Sequence, residues 1–223
     1  MQEQYVSITA DGVEFDSILA LPERAIGLVL LAPRLSQPDS VMRATSADMV
    51  RADFATLRFA QAGIAPSGGD GLHRYFVHTD IVLMARQMEA ALGWLRQEPS
   101  TRRLPCGLYG HGVAAAVVMQ VAAWQGAALA ALAVCDAQAE LAGKAALEQV
   151  RVPSLLIVSG RDPDVTGLNR MAFAALRCNK QLEQIEPLAR PAAPGSDQAR
   201  HQAAMLACDW FMHHFNGQAS AMA

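Results

Sequence analysis

The most informative segment of this 223-residue chain for its fold is Leu104-Pro105-Cys106-Gly107-Leu108-Tyr109-Gly110-His111-Gly112-Val113-Ala114-Ala115-Ala116. A short apolar run joins an alanine-rich run through small residues, which predicts a buried strand, a sharp turn and a helix. The same order of elements surrounds the nucleophile of a Gly-x-Ser-x-Gly elbow motif. There the small residues two positions either side of the nucleophile let the strand and the helix pack closely. The sequence therefore predicts an elbow at this turn.

The small residues on both sides of the turn fix its register. With Gly110 and Ala114 as the small flanks, Gly112 takes the place of the serine. Moving the register by one residue would make His111 the nucleophile, but bulky side chains would then stand at both flanks and oppose close packing. The elbow is thus predicted to carry no nucleophilic side chain.

Outward from the elbow, apolar runs alternate with helical patterns. Two strands at 5–9 and 13–21 flank Asp11-Gly12, a dipeptide that favours a tight hairpin turn. Unalternating apolar runs, typical of parallel strands covered on both faces, lie at 26–32, 55–59, 107–109, 129–134 and 154–158. Helical patterns cover 80–97 and 196–215, and the polar segments 36–43 and 61–74 are predicted to be loops. This order predicts an α/β fold, a three-layer α-β-α sandwich around a mostly parallel sheet with an N-terminal antiparallel hairpin.

Composition limits the classes of protein that fit. A hydrophobic fraction of 52% and a charged fraction of 17% favour one globular domain over 1–216, with a flexible C-terminal tail at 217–223. The net charge of −3 and the scattered basic residues argue against a nucleic-acid partner. The apolar stretch 113–135 is broken by glutamines and a glycine, which favours a buried helix and strand over a membrane span.

The cysteines and the first residues of the chain bear on its compartment. Four cysteines without paired metal-ligand spacing favour buried free thiols over disulfides or zinc. The first five residues lack the basic and apolar regions of a signal peptide. A cytoplasmic location is expected, and no cofactor or metal is predicted from the spacing of candidate ligands.

With these features the chain resembles the α/β-hydrolase superfamily, in particular the compact dienelactone-hydrolase-like proteins that also occur beside or fused to phosphoribosyltransferases. The resemblance covers nearly the whole chain. It is carried by the elbow, the opening hairpin, the passage 141–158, and Ser159-Gly160-Arg161-Asp162-Pro163-Asp164-Val165 with the residues that follow. It implies an α/β-hydrolase fold and the hydrolysis of carboxylic ester or lactone bonds by a catalytic triad.

The resemblance also implies that the triad is degenerate. Relatives place the triad acid in the turn after the strand at 154–158, so Asp162 takes that position, although a helix-capping role would equally explain an aspartate there. The triad histidine belongs in the loop before the last helix, where Ala189, or Arg190 if the loop slips by one residue, stands instead. Asp162 is then a vestigial acid.

The predicted oxyanion loop is altered as well. Relatives carry glycines after the strand before the first crossover helix, so that a backbone N–H can point at the developing oxyanion. Here the corresponding residues are Pro33, which has no N–H to donate, and Arg34.

The ligand-pocket candidates are residues at the carboxyl ends of the predicted parallel strands, where ligands of such sheets bind. A purely structural role is the alternative for each residue type: the arginines as ion-paired or solvent-facing groups, the histidine as a structural imidazole, and the cysteine as a buried thiol. If both arginines reach the pocket, they would make it suited to a carboxylate or phosphate. The candidates are Pro33, Arg34, Arg58, His111, Gly112, Val113, Cys135 and Asp136.

Two functions follow as expectations. The first is a non-catalytic α/β-hydrolase homologue, a pseudohydrolase, that binds a small molecule or a protein partner through the former active-site cleft. The alternative is a weak or rearranged hydrolase of small ester or lactone substrates that uses His111 and Asp162. A structural subunit of an assembly and a homo-oligomer are also compatible with the sequence, and a membrane partner is not expected.

Overall fold

The computed structural model of the chain describes residues 2–10, 12–33, 39–60, 73–160, 162–185 and 197–221. Its strands are β1 Gln2–Ala10, β2 Val13–Leu21, β3 Gly27–Leu31, β4 Phe54–Phe59, β5 Cys106–His111, β6 Ala131–Cys135, β7 Ser154–Val158 and β8 Lys180–Gln184. Its α-helices are α1 Asp39–Arg51, α2 His73–Leu95, α3 Ala114–Gln125, α4 Lys144–Gln149, α5 Pro163–Ala175 and α6 Asp197–Ala221. Short 3₁₀ turns lie at Gly126–Ala128 and Ala139–Ala142.

The strands form one eight-stranded sheet in the order β1-β2-β4-β3-β5-β6-β7-β8. Strands β1 and β2 form the predicted antiparallel hairpin, closed by Ala10 opposite Val13, with Gly12 at φ +79° in the turn. Strand β2 is antiparallel to β4, and the strands from β4 to β8 run parallel. The predicted fold class is therefore confirmed.

Apolar cores lie on both faces of the sheet and explain the unalternating runs. Strands β3, β4, β6 and β7 are buried along their whole length. Alternate residues such as Leu28 and Val29 point to opposite cores. One core packs against α2 and α3, and the other, which includes Phe211 and Phe215, packs against α1 and α6. The carboxyl edge of the parallel strands is thus held on a rigid double-faced core.

Three boundaries differ from the prediction. Helix α1 begins at Asp39, inside the segment 36–43 that was predicted as a loop. Its buried stripe of Met42, Thr45, Ser46 and Met49 has helical spacing, but two of its members are polar and obscure the pattern. These polar groups are paired: the Thr45 hydroxyl donates to the Val41 carbonyl at 3.0 Å, and the Ser46 and Thr56 hydroxyls lie 2.7 Å apart.

The other two differences concern long helices. Helix α2 already begins at His73, inside the second segment predicted as a loop. Helix α6 continues to Ala221, beyond the helix end predicted at 215. None of the described helices is long and apolar enough to cross a membrane.

Candidate functional site

The turn between β5 and α3 has the strand–turn–helix order that the elbow motif requires. Gly112 lies directly after β5 with φ +59°, a backbone conformation that glycine adopts without the strain imposed on other residues. Its N–H donates to the Cys135 carbonyl at 3.0 Å, and its own carbonyl accepts from the Gln138 N–H at 3.0 Å. The turn is therefore tied to the end of β6.

Gly110 and Gly112 differ in what surrounds them. A Cβ at Gly110 would lie 2.8 Å from Cγ2 of Val118 and 3.0 Å from the Ala114 carbonyl oxygen, so strand and helix touch there through backbone. A Cβ at Gly112 would have no neighbour within 4 Å among the described residues. Strand and helix therefore pack closely at Gly110, and the described residues leave the space above Gly112 open.

Helix α3 presents its N-terminus to that open space. Val113, its N-cap residue, has helical angles of φ −60° and ψ −35° and provides no side-chain hydrogen bond to cap the helix. The N-terminal amides of a helix carry a partial positive charge and favour anions. The backbone amides at the start of α3 therefore carry partial positive charge, with an apolar helix behind them.

A polar cluster lies beside this turn at the ends of β5 and β6. His111 and Cys135 are register partners in the parallel pair, so their side chains project from the same face of the sheet. His111 Nε2 lies 3.6 Å from Oδ2 of Asp136. One donor atom from each of the three residues lies within 4.8 Å of the other two.

Asp136 owes its position to an unusual backbone and to Ser159. Its φ of +46° is left-handed, a conformation that aspartate tolerates better than most residues. The Ser159 N–H donates to Oδ1 of Asp136 at 2.8 Å, and the Ser159 hydroxyl donates to Oδ2. Sequence reasoning missed Ser159, although its place directly after β7, next to β6 in the sheet, is the signal that could have found it.

Burial sets the charge of two members of the cluster. Burial lowers the pKa of His111 against the opposing charge of Asp136, which favours a neutral imidazole. Burial, reinforced by the same carboxylate, raises the pKa of Cys135 well above its usual value. The Cys135 side chain is 2% exposed and is therefore a protonated thiol, poorly suited to act as a nucleophile by itself.

Asp162 has a role that requires no chemistry. It is the N-cap of α5, and its Oδ1 accepts from the N–H groups of Asp164 at 2.9 Å and Val165 at 3.4 Å. Its side chain is exposed, and Pro163 occupies the first turn of the helix. Helix capping is sufficient to explain an aspartate at this position.

The other predicted site residues are distributed as follows. Pro33 is buried just beyond β3, and Arg58 is buried on β4 at 6% exposure. Arg34 and Ala189, like Arg190, lie outside the described residues. All four cysteines are free thiols, with Cys135 and Cys208 buried and the other two half-buried.

Solved structures similar to this chain are α/β-hydrolases. A dienelactone hydrolase from Anabaena variabilis superposes with a TM-score of 0.79 and 29% identity, covering 96% of this chain and 98% of its own. An esterase domain from Rhodothermus marinus superposes with a TM-score of 0.70 and 17% identity, covering 96% and 100%. The chain thus has the α/β-hydrolase fold, and no family model matches it.

Two curated proteins of Mycobacterium tuberculosis, from strains CDC 1551 and H37Rv, are also similar. Both carry the name "Putative phosphoribosyl transferase" and are 32% identical to this chain over 225 residues, covering 97% of it. The match takes up 48% of each relative, so the chain spans about half of their length.

Proposed function

We propose that this chain binds a small carboxylate-bearing molecule non-covalently in the cleft above Gly112 and does not hydrolyse esters through a serine triad. The observation that carries the proposal is the turn at Gly112, which has the elbow's strand–turn–helix order and open space but no side chain. A substrate in this cleft would meet a backbone surface where the elbow motif has its nucleophile.

The character of the cleft supports an anionic ligand. The uncapped N-terminus of α3 at Val113 offers partial positive charge. Glycine at position 112 leaves room for a carboxylate to approach these amides closely. The α/β-hydrolase fold of the chain, shared with a dienelactone hydrolase and esterases, also favours a compound built around a carboxyl group.

Loss of the nucleophile agrees with the energetics of the turn. A side chain in this left-handed conformation would cost on the order of 1–3 kcal/mol of strain, which glycine avoids. In serine hydrolases that lose triad members, only about 10³–10⁴-fold acceleration over water remains. Efficient ester hydrolysis is therefore not expected.

The experiment is a titration of the chain with small carboxylates and with the corresponding neutral amides, followed by the backbone N–H resonances of Gly112 and Val113. The carboxylates are expected to shift these resonances and the amides are not. Gly112→Asp and Gly112→Asn form a matched pair, because both residues tolerate a positive φ and differ in charge.

The aspartate variant should bind carboxylates at least about tenfold more weakly than the asparagine variant, since its charge faces the ligand. Equal binding of amides and carboxylates, or equal affinity in both variants, would contradict the proposal. Resonance shifts produced by a protein partner and by none of the carboxylates would favour a partner-binding cleft instead.

A second candidate function is a weak or rearranged hydrolase of small esters or lactones. It is favoured by the 3.6 Å approach of His111 Nε2 to the Asp136 carboxylate beside the cleft. A neutral imidazole of this kind can act as a general base toward water. Turnover of short nitrophenyl esters above the buffer blank that is removed by His111→Ala would support this candidate over the first.

A further inference from the structure

The side chains of His111, Cys135 and Asp136 place three different types of metal-binding atom close together. These are an imidazole nitrogen, a thiol sulfur and a carboxylate oxygen, all within 4.8 Å of one another. The spacing of these residues along the chain shows no metal-ligand pattern, because adjacent parallel strands, and not a local loop, bring them together.

The separation of His111 and Asp136 fits shared coordination better than a direct hydrogen bond. At 3.6 Å their nearest atoms are beyond good hydrogen-bond distance. Two ligands of a tetrahedral zinc ion, each bonded at about 2.0–2.2 Å, stand roughly 3.3–3.6 Å apart. A metal ion between them would replace a loose contact with two coordinate bonds.

The surroundings of the cluster hold the donors in place. The left-handed backbone of Asp136 turns its carboxylate next to the preceding cysteine, so that consecutive residues can both reach one ion. Both carboxylate oxygens accept hydrogen bonds from Ser159, which fixes the orientation of the carboxylate as outer partners do in metal sites. The His111 side chain is 24% exposed and that of Asp136 is 21% exposed, which leaves a path for an ion to enter.

We propose that His111 Nε2, Cys135 Sγ and Asp136 Oδ2 bind a zinc ion whose fourth coordination position is open to water or to a ligand. The set of one nitrogen, one sulfur and one oxygen favours zinc and similar transition metals over magnesium or calcium, which take oxygen ligands. As the sulfur–metal bond forms, the Cys135 thiol proton leaves to the buffer. The inference is independent of carboxylate binding above Gly112.

The test is a cobalt titration of the full chain after metal removal, under reducing conditions. Cobalt(II) bound by a thiolate gives a sulfur-to-metal charge-transfer band, and tetrahedral coordination gives intense visible bands. One equivalent of cobalt is expected to produce both, and zinc is expected to displace it. Cys135→Ser should lose the charge-transfer band.

Cys178→Ser is the control, since Cys178 is also a free thiol, although half-buried, and its sulfur lies 3.4 Å from the Ser154 hydroxyl, outside the cluster. This variant should keep the charge-transfer band. Ser159→Ala should keep it too and bind cobalt about 10–100-fold more weakly, because it removes an outer partner and no ligand.

Absence of the band in the unmodified chain, or its persistence in Cys135→Ser, would overturn the proposal. Should Cys135→Ser fail to fold, His111→Gln and Asp136→Asn serve in its place. Both are expected to weaken cobalt binding and lose the tetrahedral spectrum, and unchanged spectra in both would overturn the proposal. Carboxylate titrations are repeated with the metal-free chain. They show whether carboxylate binding needs the metal, so that failure of metal binding and failure of carboxylate binding can be told apart.

Discussion

Two aspartates follow neighbouring parallel strands, and the molecule uses them differently. Asp136, after β6, has a left-handed backbone and a half-buried carboxylate held by Ser159 near His111. Asp162, four residues after the last residue of β7, is exposed and caps α5. Resemblance to relatives directs attention to Asp162, whereas the contacts made by its carboxylate are those of a helix cap.

The difference shows that a position in a family pattern and a chemical environment are separate kinds of information. A helix cap needs only an acceptor for the first N–H groups of the helix, so many aspartates meet it without further chemistry. A half-buried carboxylate with a strained backbone and polar neighbours costs free energy of folding, and such features concentrate at functional sites. Substitutions at the two turns test whether the two carboxylates differ in this way.

The largest effect on folding is expected for Asp136→Ala. The change leaves the Ser159 N–H and hydroxyl without their acceptor and puts an alanine at φ +46°, which together should cost about 2–4 kcal/mol. Urea denaturation of the variant and the unmodified chain measures the change in the free energy of unfolding. Asp136→Asn is the control, because asparagine keeps an acceptor and tolerates the backbone. Equal losses for alanine and asparagine would show that the proposed contacts are unimportant.

A smaller loss is expected for Gly112→Ser. The described residues leave room for a side chain at Gly112, so the expected cost is that of the left-handed backbone, about 1–3 kcal/mol. The new hydroxyl should remain unreactive toward a fluorophosphonate probe, because no histidine is expected in place to activate it. Denaturation and probe labelling together check the prediction, and strong labelling of the variant would show that a working base is present.

The smallest effect is expected at Asp162. Asp162→Ala removes the N-cap of α5 and should lower the free energy of unfolding by about 1 kcal/mol. Asp162→Ser should be nearly neutral, since serine caps a helix almost as well. A loss much larger than this in Asp162→Ser, measured by the same denaturation, would indicate that the carboxylate does more than cap the helix.

Much of the fold can be predicted from local sequence, whereas the candidate site can be predicted only in part. The apolar runs mark β3 to β7 because a strand covered on both faces has to be apolar throughout. Helix α1 is missed from sequence because the polar residues Thr45 and Ser46 occupy buried positions. Hydrogen bonds that are not visible in the sequence offset the cost of burying their hydroxyls.

The site residues show the same limit. His111, Cys135 and Asp136 can each be selected from sequence as residues at strand ends, but their grouping depends on the register between β5 and β6. The role of Ser159 depends likewise on which strand lies beside β6. The predicted places of Arg34 and Ala189 lie outside the described residues and stay predictions.

Hydrolysis of short nitrophenyl esters by the purified chain, with fluorophosphonate labelling in parallel, shows directly whether the turn at Gly112 supports catalysis. The expected result is no turnover above the buffer blank and no labelling, because Gly112 offers no nucleophile. Robust turnover that is abolished by His111→Ala or Asp162→Ala would contradict it.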